Sequence, residues 1–145
     1  MRVCSPIDGV VHPMSEFPDP VFAQQMLGPG LAIVPSTQGK TQVLAPVSGK
    51  ISALFPHAFV IDDIMVHLGV DSKEAQTFTA LHKKGDHVKR ADAIIEWDTA
   101  KHLEAGFTTW VAVTALGHTL CNALPAEKTV QAGRRLFDAV KTERG

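Results

Sequence analysis

The sequence predicts an all-β fold: an antiparallel β-sandwich or barrel-sandwich hybrid with a duplicated hairpin motif and a few short helical turns. Three observations predict it. Short strand-like runs alternate with regularly spaced Pro and Gly stops. One motif recurs, because Ser5-Pro6-Ile7-Asp8-Gly9-Val10-Val11 is similar to Ala45-Pro46-Val47-Ser48-Gly49-Lys50-Ile51. The 145 residues suit a single domain, residues 1–145, large enough to bury a real core.

Each copy of the motif reads as a small residue, Pro, a β-branched residue, a variable position and Gly, then a strand. Pro fixes φ and Gly tolerates positive φ, so each copy is a turn feeding a hairpin. Next along the chain, Asp19 can cap a short helix, with Pro20 at its first position and Gly28 at its end. Two strand-like runs then carry His57 and His67, with Asp62 and Asp63 between them. Gly85-Asp86-His87-Val88 is a second punctuation, echoed loosely by Val130-Gln131-Ala132-Gly133. Asp98 and Gly106 bracket a second short helix. Neither helix is long enough to be stable alone, so both must pack on the sheet. Gly117 to Lys128 reads as an irregular connection, and Thr129 to Val140 as a last strand followed by a polar tail.

Composition excludes several classes. Fourteen Lys and Arg face fifteen Asp and Glu, for a net charge of -1, so no nucleic acid or other polyanion is implied as partner. No apolar stretch approaches the roughly 20 residues of a membrane span. The N-terminus lacks the basic-then-apolar pattern of a signal peptide, so the expected location is cytoplasmic. Cys4 and Cys121 make neither a metal spacing nor a disulfide framework and read as reduced thiols.

The chemistry concentrates in His57-Ala58-Phe59 and Val66-His67-Leu68-Gly69-Val70-Asp71. If the two runs fold back on each other, their imidazoles can meet on one sheet. Adjacent imidazoles with no carboxylate between them suit a negatively charged group. That group is either a phosphoryl carried on a ring nitrogen or a hydroxide on a metal. Register decides whether they meet. A two-residue turn at Asp62-Asp63 pairs Ala58 with His67 and would send His57 to the opposite face, because side chains alternate along a strand. A three-residue loop, a bulge or a longer loop would pair His57 with His67.

Four blocks give these residues a family context: Asp19-Pro20-Val21-Phe22-Ala23 with Met26-Leu27-Gly28; Ala45-Pro46-Val47-Ser48-Gly49; His57-Ala58-Phe59; and Val66 to Asp71. Gly85 to Asp98 adds a fifth. Together they resemble the glucose-family enzyme IIA of the bacterial phosphoenolpyruvate-dependent sugar phosphotransferase system, from about Pro6 to about Val113 and more faintly to Phe137. The resemblance implies a β-sandwich and a phosphohistidine carrier with no metal or dissociable cofactor. His67 is then the acceptor of a phosphoryl group from the general carrier HPr, and passes it to a cysteine of an enzyme IIB. His57 is the partner that donates a hydrogen bond to the phosphoryl oxygens. Regulated metabolic or transport proteins are further implied partners.

A carrier whose substrates are proteins needs a shallow site with an apolar rim. Val21, Phe22, Met26, Leu27, Phe55 and Met65 are the candidates, with Phe22 expected as the most exposed contact. Asp19 and Asp71 would meet a basic partner face. The chain departs from the family in two ways. The stretches His57–His67 and Asp71–Phe78 are shorter, which leads to the expectation that surface loops are missing from the numbered chain. Phe55 also stands where many members have a Thr that fixes the tautomer of His57, so that hydrogen bond must come from elsewhere, such as a backbone carbonyl.

His12, His82, His87, His102 and His118 read as ordinary surface histidines, and Lys83, Lys84, Lys89 and Arg90 as a wet hairpin end. Three rival readings exist. His67-Leu68-Gly69-Val70-Asp71 fits the H-x-G-x-D element of lysostaphin-type zinc peptidases, but no H-x-H follows to complete the site. A regulatory binding module of the same fold is the second. The third is a lipoyl or biotinyl carrier, for which Lys40 and Lys50 lack a tight hairpin tip.

Overall fold

The computed structural model describes residues 1–36 and 38–142. Strands β1 (Arg2–Cys4) and β2 (Gly9–Pro13) precede a 3-10 turn (Met14–Glu16) and helix α1 (Pro20–Ala23). Strands β3 (Gly30–Pro35), β4 (Lys40–Leu44), β5 (Gly49–Phe55), β6 (Ala58–Ile61) and β7 (Ile64–Leu68) follow. Then come β8 (Phe78–Ala80), β9 (His87–Val88), β10 (Ala93–Asp98) and helix α2 (Thr99–Glu104). The chain ends with β11 (Val111–Ala115), β12 (His118–Cys121), β13 (Thr129–Val130) and β14 (Arg135–Lys141). The rest of the polar tail, 143–145, lies outside the described residues.

One sheet has eight strands in the order β13-β2-β3-β11-β7-β6-β5-β9. Two three-stranded sheets, β4-β10-β8 and β1-β14-β12, pack against it. Neighbouring strands run antiparallel, for instance β6 with β7 and β7 with β11. The antiparallel sandwich expected from the Pro and Gly stops is therefore the fold.

The duplicated motif is a structural duplication. Cys4 N–H donates to the Pro46 carbonyl at 2.9 Å, and Leu44 N–H to the Pro6 carbonyl at 2.9 Å, so the two copies bond each other reciprocally. Gly9 pairs with Val130 as Gly49 pairs with Val88. The second punctuation corresponds differently from the sequence reading. Gly85 N–H bonds the Ile51 carbonyl and Glu127 N–H the Val11 carbonyl, so Gly85 to Val88 matches 127–130, not Val130 to Gly133. Glu127 fills the place of a glycine with φ of 69°, which hides the match from the sequence.

Alternation along the central strands divides the large sheet into two faces. Ile64, Val66 and Leu68 of β7, with Val111 and Val113 of β11, enter the main core together with Trp97, Phe137 and Phe59. Met65 of β7, Ala112 of β11 and Ala32 of β3 point the other way. There they meet Met14, Phe17 and Phe22, which the 3-10 turn and α1 lay over the sheet.

Several expectations need correction. Residues 117–128 are not wholly irregular, because β12 pairs with β14; its half-exposed edge position leaves little apolar pattern to read. The last strand splits into β13 and β14, which belong to different sheets. Helix α1 stops at Ala23, well before Gly28, although Asp19 caps it as expected, accepting from Val21 N–H at 2.9 Å. Helix α2 follows its brackets: Asp98 accepts from Lys101 N–H, and Gly106 follows its end with φ of 91°. The numbered chain also runs unbroken, and its loops are short. Asp62 and Asp63 form a two-residue turn with φ of 47° and 59°, the primed geometry that suits a tight hairpin.

Candidate active site

Asp62-Asp63 pairs Ile61 with Ile64 and Ala58 with His67, the register that should have separated the two imidazoles. They meet all the same, with ring centroids 5.1 Å apart and planes at 83°. The reason is that His57 is not in a strand. Phe55 pairs with Ala58, so Pro56 and His57 are the turn between β5 and β6, where strand alternation does not apply. The His57 carbonyl still accepts from Leu68 N–H at 2.8 Å, which ties the turn to the end of β7.

His67 leaves β7 half-buried. Its Nδ1 lies 3.0 Å from the Gly69 carbonyl. A carbonyl only accepts, so Nδ1 carries the proton and Nε2 keeps its lone pair. Gly69 can offer that carbonyl because its φ is 74°, and a Cβ there would meet the Thr108 carbonyl at 2.8 Å. Burial holds the His67 pKa below the usual histidine value, and the nearby His57 lowers it further; the Gly69 hydrogen bond, Asp19 and Asp71 oppose this. Burial, followed by the Lys73 cation, lowers the pKa of His57. Both rings are therefore neutral near neutral pH.

The two imidazoles open on a shallow depression of about 300 Å³, lined also by Asp19, Asp71, Ser72, Lys73 and Glu74. Asp71, with φ of 51°, turns the chain back so that Ser72, Lys73 and Glu74 return to the site. Sequence reasoning missed these three. The signal was their position directly after the H-x-G-x-D element, where a tight reversal must bring the next residues back.

The expected rim is divided. Val21 is 41% exposed, Met26 67% and Phe55 56%, as a rim requires. Phe22, expected as the most exposed contact, is 4% exposed. The Asp19 cap and Pro20 turn its ring inward, where it lies 4.8 Å from His67 and 5.1 Å from Phe17. Leu27 and Met65 are partly buried against the same cluster. The hydrogen bond expected to fix the tautomer of His57 is also absent among the described residues, for its Nδ1 is buried with no protein partner.

His12, His82, His87 and His118 are partly or well exposed, as expected, but His102 is fully buried beside Trp97. Helix α2 is short and buries Thr99 and His102 alone, a face that a six-residue element cannot announce in sequence. Among the described residues no group of three or more His, Cys, Asp or Glu side chains is placed to hold a metal ion. No described helix is long and apolar enough to cross a membrane.

Comparison with known proteins supplies the family. The model for the phosphoenolpyruvate-dependent sugar phosphotransferase system, EIIA 1, matches residues 1–119. A PTS system glucose-specific EIIA component of Oceanobacillus iheyensis is 38% identical over 109 residues, which cover 69% of this chain and 64% of that protein. The match thus spans less than two thirds of that relative's length. The structure of glucose permease IIA from Mycoplasma capricolum superposes with a TM-score of 0.78 at 29% identity, covering 94% of each chain.

Proposed function

The chain belongs to the EIIA type 1, glucose-family branch of the sugar phosphotransferase system, and from that premise we propose that His67 is its phosphoryl acceptor. The observation that carries this reading is the Gly69 carbonyl on His67 Nδ1, which leaves a neutral Nε2 as nucleophile. In the forward step the Nε2 lone pair attacks phosphorus of the HPr phosphohistidine. The new N–P bond forms as the donor N–P bond breaks, and the HPr nitrogen leaves with the electron pair and takes up a proton. In the second step a thiolate of enzyme IIB attacks the same phosphorus, an S–P bond forms, and His67 Nε2 recovers its lone pair. The sugar is then phosphorylated during import, in the cytoplasm.

Positioning and charge stabilisation suffice for such in-line transfers. His57 lies across the depression and donates to the phosphoryl oxygens, and Lys73 supplies a positive charge beside them. No metal or other cofactor is required. Val21, Met26 and the edges of Leu27 and Met65 form the apolar docking rim, with Phe22 as its support rather than its surface. Asp19 and Asp71 orient a basic partner face.

The test is a reconstituted mixture of phosphoenolpyruvate, enzyme I, HPr and this protein, read by intact mass. An acid-labile gain of one phosphoryl group, absent in His67→Gln, is the expected result. No gain in the folded wild-type protein would overturn the reading.

A further inference from the structure

His102 is an imidazole in the interior that phosphoryl transfer does not use. Its side chain is fully buried, enclosed by Phe78, Trp97 and Phe107 at centroid distances of 5.3, 5.1 and 5.1 Å. Nδ1 lies 2.8 Å from Thr77 Oγ1. Nε2 is buried as well; burial lowers the His102 pKa, and a hydrogen bond from the ring to the Thr108 backbone opposes it.

Nε2 points at the turn that holds His67. A Cβ on Gly69 would lie 2.8 Å from it, 2.8 Å from the Thr108 carbonyl and 3.0 Å from Ser72 Oγ. The imidazole is therefore the floor beneath Gly69. Gly69 N–H is fixed to the Trp110 carbonyl at 2.8 Å, and Ser72 Oγ–H donates to the Leu68 carbonyl at 2.6 Å. Those bonds hold the turn at its two sides, and His102 closes it from below. The carbonyl so placed is the one that accepts from His67 Nδ1. Thr77 and His102 thus form a chain of contact that ends at Gly69, the residue whose carbonyl accepts from His67 Nδ1.

We propose that His102, held by Thr77, is a positioning residue that fixes the Gly69 carbonyl and so keeps His67 with its proton on Nδ1. It touches neither phosphoryl group nor partner. The kinetic part of the inference rests on the function proposed above, but the tautomer part does not.

The test is the ring nitrogen chemical shifts of His67 in wild type, His102→Leu, His102→Gln and Thr77→Val. His102→Leu fills the cage without the ring nitrogens, so Gly69 loses its floor contact while the core stays packed. The expected result is a single Nδ1–H tautomer in wild type and a mixture in His102→Leu, with transfer from HPr slowed about tenfold and the KM for HPr unchanged. His102→Gln, whose amide reaches toward the same point, should restore much of the wild-type signature. Thr77→Val should lie between. A folded His102→Leu with wild-type shifts and wild-type transfer would overturn the proposal. If His102→Leu does not fold, unchanged His67 shifts in Thr77→Val would overturn it instead. A wild-type protein that takes no phosphoryl group would defeat the proposed function and leave the tautomer result to decide this one.

Discussion

Two apolar clusters share the eight-stranded sheet, one on each face, and they are built for different ends. The inner cluster joins three sheets through Phe59, Ile64, Trp97, Phe137 and their neighbours, most of them fully buried. The outer cluster is thin: Met14, Phe17 and Phe22 over Ala32 and Ala112. Strand β7 serves both. Its even-numbered residues Ile64, Val66 and Leu68 enter the inner core, while Met65 and His67 face the outer layer. A one-residue register shift in β7 would exchange the two sets, so the packing that folds the protein also decides where the acceptor histidine points.

The strongest way to break the comparison is to damage the inner cluster alone. Phe59→Ala should destabilise the fold by about 4–5 kcal/mol, measured by urea unfolding, because a cavity opens where several sheets meet. The fraction that remains folded should still accept a phosphoryl group at the wild-type rate. Loss of transfer in the folded fraction would mean that the inner core also tunes the site.

The outer cluster should answer in the opposite sense. Phe22→Ala removes the ring that packs 4.8 Å from His67, in a layer that can partly collapse, so the expected cost is nearer 3 kcal/mol. Its larger consequence should be functional. Without the ring under it, His67 gains rotamer freedom, and phosphoryl acceptance should slow about tenfold. Equal transfer rates for Phe22→Ala and wild type would show that the outer layer is only a cover.

His57→Gln sharpens the comparison within the site itself. His57 sits on a surface turn, so the change should cost well under the several kcal/mol of a core lesion. His67 should still be charged by HPr. Onward transfer to enzyme IIB should fall about 10- to 100-fold, the worth of a hydrogen bond to a charged group. Normal onward transfer would remove His57 from its role.

The difference between the clusters also explains what the sequence made legible. The inner core follows period-two alternation punctuated by Pro and Gly, and the twin motifs at Pro6 and Pro46 each feed a hairpin as their likeness suggested. The Asp19 cap was readable because a cap is local chemistry. What was not legible depended on distant contacts. Phe22 lies in the same short segment as the exposed Val21, and only the sheet beneath it decides which of the two is buried. His57 falls on a two-residue turn that an apolar run disguised as a strand. His102 looked like a surface histidine because a six-residue helix shows too few turns to reveal its inner face.

The smallest expected effect is the dependence on pH. His57, His67 and His102 all have pKa values below the ordinary 6.5, burial being the first cause in each. Their native forms therefore resist protonation more than the unfolded chain does. As pH falls below 6.5, the unfolded chain takes up protons first, so it binds more of them than the native state. Stability is thus fully present above that pH and declines as pH drops toward the native values. Phosphoryl acceptance needs an unprotonated Nε2 on His67, so its rate should stay flat below pH 6.5 and fall only nearer the native pKa. Lys73→Met should move the midpoint for His57 upward, since the lysine is the charge that helps to keep that ring neutral. Histidine titrations followed by NMR in the wild type and in Lys73→Met would check both shifts. A His57 midpoint unmoved by the substitution would place the lysine charge too far from the ring to act on a phosphoryl group held beside it.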